Sequence, residues 1–177
     1  MPDRAVPDFV DARKIFIQQG EVEGTLRPDH LPRLRELLSN GSGEITARLT
    51  FCVDEQGHKT MTGRVDANLE VPCQRCLDPV GIVLGDDIKL VLVPDSDAAK
   101  TPPEGYEAWI SAETMIDVKA LLEEQLILDM PIVAYHETGP CLERQHYSVP
   151  ARPDSKEREE KDDHSGPFAI LASLKRK

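Results

Sequence analysis

Cys73-Gln74-Arg75-Cys76 is the one place where residue type and spacing together point to chemistry. Two thiols three positions apart have the spacing of half a zinc knuckle, and such a half-site needs two further donors. Cys141, in Gly139-Pro140-Cys141-Leu142, offers one, with His136 and His146 five residues to either side. A metal site of Cys73, Cys76 and Cys141 with one histidine is therefore open to this sequence, and zinc is the cofactor it would take. Two other readings stand beside it. A redox CxxC sits after a strand at a helix N-terminus, where the dipole acidifies the thiol; here Pro79 and a second β-pattern follow Cys76 instead. Plain structural thiols are the third reading. No phosphate-cradling glycine loop, no HExxH and no nucleophile with a convincing base is found, so no catalytic residue is nominated.

The elements that must position the pair are read from periodicity. Between Thr60 and Pro72, Met61, Gly63, Val65, Ala67, Leu69 and Val71 alternate with Thr62, Arg64, Asp66, Asn68 and Glu70. A period of two over that length predicts a strand with one buried and one wet face. Val80, Ile82, Leu84, Ile88, Leu90 and Leu92 repeat the pattern on even positions. The two runs predict a long hairpin with the CxxC at its tip, where Gln74 and Arg75 would be exposed to a partner. Ile45, Ala47, Leu49, Phe51 and Val53 form the preceding strand, joined through the turn Asp54–Gly57. Gly20–Leu26 reads as a brief strand and Tyr106–Ile110 as another. Asp8–Gln18 fits either a helical face or a frayed strand.

Two helices are expected. Pro28 opens one, with Leu31, Leu34, Leu37 and Leu38 along it and Asn40-Gly41 closing it. Asp117 caps the other, Val118–Asp129, which Pro131 stops. Glu123 and Glu124 have no basic or histidine partner at helical spacing on that helix and read as a solvated face. The fold class is α+β: an antiparallel β-meander, or partly closed sheet, with two short helices.

Hydrophobic residues make up 40% of the 177 and aromatics only 5%, so the core must rest on Val, Leu and Ile. The net charge of −11 works against binding nucleic acid through the surface as a whole. No apolar run approaches the roughly 20 residues of a membrane span, and the cysteines do not resemble a secreted disulfide framework. A cytoplasmic protein is expected. Residues 1–149 read as the β-rich domain. Residues 150–165 read as a disordered charged linker, since Asp154–His164 has six acidic residues against three basic ones. Residues 166–177 read as a docking motif: Pro167, Phe168, Ile170, Leu171 and Leu174 form an apolar plug, and Lys175, Arg176 and Lys177 a basic end.

Glu70-Val71-Pro72-Cys73-Gln74-Arg75-Cys76-Leu77, the stretch ending in Asp117–Pro131, and the terminal Gly166-Pro167-Phe168-Ala169-Ile170-Leu171-Ala172-Ser173-Leu174-Lys175 occur together. This combination resembles the bacterial YceD family, the large ribosomal RNA subunit accumulation proteins. The resemblance implies a non-enzymatic factor for 23S ribosomal RNA accumulation and large-subunit assembly. The partners expected beside it are assembly factors, ribosomal proteins or ribosomal RNA, and no membrane is expected. Other members carry a second cysteine pair in the later region, completing a four-thiolate zinc site; this chain has Cys141 alone there. A small zinc-binding or thiol redox module is the competing function.

Overall fold

The computed structural model describes residues 4–137 and Cys141. The linker at 150–165, the motif at 166–177 with Pro167, Phe168, Ile170, Leu171, Leu174, Lys175, Arg176 and Lys177, and His146 lie outside the described residues.

The centre is a five-stranded sheet in the order β2 (Glu21–Leu26), β3 (Gly43–Val53), β4 (Lys59–Pro72), β5 (Pro79–Val93), β6 (Glu107–Ile110). Strands β2 to β5 form the expected antiparallel meander, while β6 joins β5 in parallel. β4 and β5 pair from Lys59↔Leu92 to Pro72↔Pro79, a ribbon about 45 Å long at the usual rise per residue. Along β4 the expected odd positions face inward, with Met61, Val65, Ala67, Leu69 and Val71 buried. Gly63 belongs to that row because a Cβ there would stand 1.9 Å from the Arg48 carbonyl oxygen on β3.

The sheet does not close, which corrects the partly closed alternative: β2 and β6 are separate edges. Closure is unnecessary because helices roof the apolar face. The β2 edge is covered by the chain at 4–6, where Thr25 donates to the Arg4 carbonyl and Val6 donates to the Thr25 carbonyl.

The described residues hold three α-helices, not two. The ambiguous Asp8–Gln18 stretch divides into β1 (Phe9–Asp11) and α1 (Ala12–Ile17). Asp11 makes the division, because its carboxylate accepts the backbone N–H groups of Arg13 and Lys14. β1 pairs antiparallel with β7 (Met115–Asp117), and Asp117 caps α3 (Val118–Asp129) through the Ala120 N–H. Two helices thus start beside each other from one small ribbon. Phe16 of α1 meets Phe51 of β3 edge to face at 5.6 Å, while Leu121, Leu122 and Leu126 of α3 are fully buried.

The leucine helix is shorter than expected. Pro28–His30 is a 3-10 turn and α2 runs Pro32–Leu37, so Leu34 is buried and Leu37 exposed. Its N-cap position is Leu31, which offers no side-chain acceptor. Glu123 of α3 supplies one: its carboxylate accepts the Leu34 N–H at 3.0 Å and is only 5% exposed. Beside it, Glu124 receives Arg33 at 3.1 Å. The reading of Glu123 and Glu124 as a bare solvated face is therefore corrected. Their partners come from about 90 residues away in the chain, beyond the reach of helical spacing. Val91 and Val93 also depart from the wet-face pattern: both are buried, at the end of β5 where β6 and the loop after Pro94 approach.

Replacing Glu123 by Ala strands the Leu34 N–H and removes the cap of α2. We predict a loss of about 1–3 kcal/mol in urea unfolding, with Glu123→Gln retaining most of the stability. An unchanged midpoint for the alanine variant would show that the bond does not hold α2 to α3.

Candidate metal centre

The β4–β5 turn is tight. Cys73 N–H donates to the Asp78 carbonyl and Leu77 N–H to the Cys73 carbonyl, both at 2.9 Å. Leu77 takes φ +64°, left-handed backbone that a leucine seldom adopts, and its side chain is 77% exposed.

Downstream chain returns to this turn. The end of α3 is held to β5 by Asp129, whose carboxylate accepts the Gly85 N–H at 2.8 Å. Beyond Pro131 the segment reaches the tip, where Gln74 donates its backbone N–H to the Ala134 carbonyl at 3.0 Å and its side-chain amide to the Ile132 carbonyl at 3.2 Å. The Arg75 guanidinium lies 4.1 Å from the Tyr135 ring centre, a cation–π stack. Gln74 and Arg75 are exposed as expected, but each also binds the returning segment.

Four potential donors meet there. Cys73 Sγ, Cys76 Sγ, Cys141 Sγ and a nitrogen of His136 all lie within 4.8 Å of one another. The Cys73 and Cys141 sulfurs are 3.6 Å apart, and Cys76 Sγ is 3.6 Å from His136 Nδ1. Tetrahedral zinc with ordinary bond lengths sets sulfur–sulfur edges of about 3.8 Å and sulfur–nitrogen edges of about 3.6 Å. The donor set and spacing therefore fit zinc. The histidine tautomer fits as well: Nε2 is 3.0 Å from the Pro79 carbonyl, which can only accept, so Nε2 carries the hydrogen and Nδ1 keeps its lone pair for a metal. Three cysteines and a histidine fill four positions and leave none open, the arrangement of a structural site.

Thiol electrostatics lead to the same place. Burial pushes the Cys73 thiol up, but the backbone N–H groups of Cys76, Arg75 and His136 and the Cys141 thiol outweigh it and bring Cys73 down to about 5. Cys76 goes the other way, to about 11, because burial and the neighbouring Cys73 and Cys141 sulfurs outweigh the Asp78 N–H. A negative sulfur is favoured at Cys73 and disfavoured at Cys76, a conflict that a cation among them would relieve. An acidic thiol would also suit a redox nucleophile. Cys73, however, is fully buried, and β5 rather than a helix follows the pair, so a substrate disulfide has no approach to its sulfur.

The sequence placed Cys73, Cys76 and Cys141 and left the histidine open between His136 and His146; the structure brings in His136. Cys52 stands opposite Thr60, at the other end of the ribbon. The exposed side chains of Ile132, Val133 and Tyr135 around the tip were missed. Their signal was the Pro131-Ile132-Val133-Ala134-Tyr135 run, apolar yet outside any predicted element.

A protein-family model described as "Large ribosomal RNA subunit accumulation protein YceD" matches residues 61–175. A Haemophilus influenzae protein of the same description is 31% identical over 174 residues, 97% of either chain. No solved structure matches.

Zinc added to the reduced, metal-free chain should bind with one-to-one stoichiometry, and cobalt in its place should show the intense absorption of thiolate ligands. Because Cys76 holds its proton through neutral pH and must release it to bind, affinity should rise with pH between about 6 and 9. His136→Ala should weaken binding at least tenfold. A flat pH profile, or full affinity in that variant, would remove Cys76 or His136 from the donor set.

Proposed function

The chain belongs to the YceD family, and on that premise we propose that it is a non-enzymatic factor for 23S ribosomal RNA accumulation and large-subunit assembly, an adaptor whose contact surface is the zinc-held knuckle. The observation that carries the surface assignment is the clustering of exposed apolar side chains at the tip. Leu77, Ile132 (95% exposed), Val133 and Tyr135 gather around the four donors. Apolar groups left in water on a turn braced by the Gln74 hydrogen bonds to the returning segment are the mark of a contact surface. Zinc held by Cys73, Cys76, His136 and Cys141 would be structural in this role, tying the returning segment to the turn.

The second contact is the motif at 166–177, with Phe168, Leu171 and Leu174 as its apolar side and Lys175-Arg176-Lys177 as its basic end. The net charge of −11 suits a basic partner, a ribosomal protein or assembly factor, approached by electrostatic steering. No membrane takes part in this reading, and no helix among the described residues is long and apolar enough to cross one.

The test is the ratio of 23S to 16S ribosomal RNA in cells lacking the gene, complemented by three forms of the protein. The full chain should restore the ratio. A Leu77→Asp, Ile132→Asp double variant should fail at equal abundance, and aspartate tolerates the left-handed backbone at 77. A chain ending at His164 should fail likewise. Rescue by the double variant moves the contact off the knuckle, and an unchanged ratio on deletion ends the proposed role.

A further inference from the structure

At the opposite end of the β4–β5 ribbon from the knuckle, a cavity of about 610 Å³ opens between α1, the β3–β4 turn, the end of β5 and the loop joining β6 to β7. Arg13 of α1 lines it, together with the consecutive His58 and Lys59 where the β3–β4 turn enters β4. Among the described residues neither the Arg13 guanidinium nor the Lys59 ammonium has an acidic partner; Lys59 lies 5.8 Å from the Phe16 ring centre. Arg4, Arg27, Arg75 and Lys89 also lack an acidic partner among the described residues, but Arg13 and Lys59 are brought to the walls of one cavity.

His58 is held in a fixed orientation. Asp54 accepts the His58 backbone N–H at 2.8 Å and lies 2.8 Å from its Nδ1, so Nδ1 donates to the carboxylate and Nε2 is left as an acceptor. Ser111 and Thr114 bring hydroxyl groups to the same walls, and Glu113 is the acid among the lining residues. Two cations, an oriented imidazole and hydroxyls in one concavity are the complement of a tetrahedral oxyanion carrying a sugar or base.

We infer that this cavity binds a phosphate ester, with Arg13 and Lys59 as charged donors to the phosphate and His58 Nε2 as the acceptor for a hydroxyl of its sugar. The inference goes beyond the proposed role of the knuckle and does not depend on it. A phosphodiester of RNA and the phosphate of a free nucleotide share this chemistry.

The full-length protein would be titrated with adenosine monophosphate and with a twelve-nucleotide single-stranded RNA, following backbone amide shifts in the NMR spectrum. Both ligands should shift Gly57, His58 and Ser111. RNA bound at least tenfold more tightly than the mononucleotide identifies a backbone site; equal affinities identify a nucleotide site. An Arg13→Gln, Lys59→Gln double variant should weaken either ligand at least tenfold. It should also lower the salt slope for RNA by about 1.4, at roughly 0.7 per lost phosphate contact with single strands. Both residues are exposed, so the fold should survive, which the unchanged remainder of the spectrum verifies. Unchanged affinity in the double variant, or shifts confined to the knuckle, overturns the assignment.

Discussion

Everything described here is positioned by the pairing of β4 with β5. Its register runs unbroken from Lys59↔Leu92 to Pro72↔Pro79 and decides both ends of the molecule at once. A slip of one residue would turn Met61, Val65, Ala67 and Leu69 to water and carry Cys73 away from the downstream cysteine. The alternation is strict enough to forbid that slip, because every second residue of β4 from Val65 to Val71 is buried against a roof of helices. That roof is assembled from distant parts of the chain, with Glu123 lending α2 a cap its own sequence lacks.

At the tip the constraint becomes electrostatic. Three sulfurs and an imidazole converge where backbone N–H groups favour a negative Cys73 while burial and the neighbouring sulfurs disfavour a negative Cys76. A divalent cation among the donors would remove the conflict. The apolar side chains outside this cluster are then displayed on backbone fixed from within, so little ordering remains for a partner to impose on meeting them.

The sequence is legible wherever a signal is local. Period-two patterning placed β3, β4 and β5, and an aspartate before an apolar run placed α3 and its cap. Two of the four converging donors were readable because a CxxC announces itself, and Cys141 because it is the other cysteine in a comparable loop. What escaped was tertiary. Glu123 has no partner on its own helix, yet Leu31-Pro32 begins α2 without a Ser, Thr, Asp or Asn cap, and that missing acceptor was the readable half of the pair. The choice of His136 rests on a carbonyl at Pro79 that no spacing rule can see. Val91 and Val93 broke the alternation because a loop and a parallel strand cover the face they share.

The order in which the donors leave the ribosome is itself a consequence of this geometry. Cys73 and Cys76 are synthesised about 65 residues before Cys141, an interval of about 3–13 s at usual rates of elongation. Through that interval the turn offers two sulfurs and nothing else, too few to retain a metal against competing thiols. Closure waits until α3 has been made and the chain beyond it has doubled back, so a metal held there would come last, as a seal on the body rather than a seed for it.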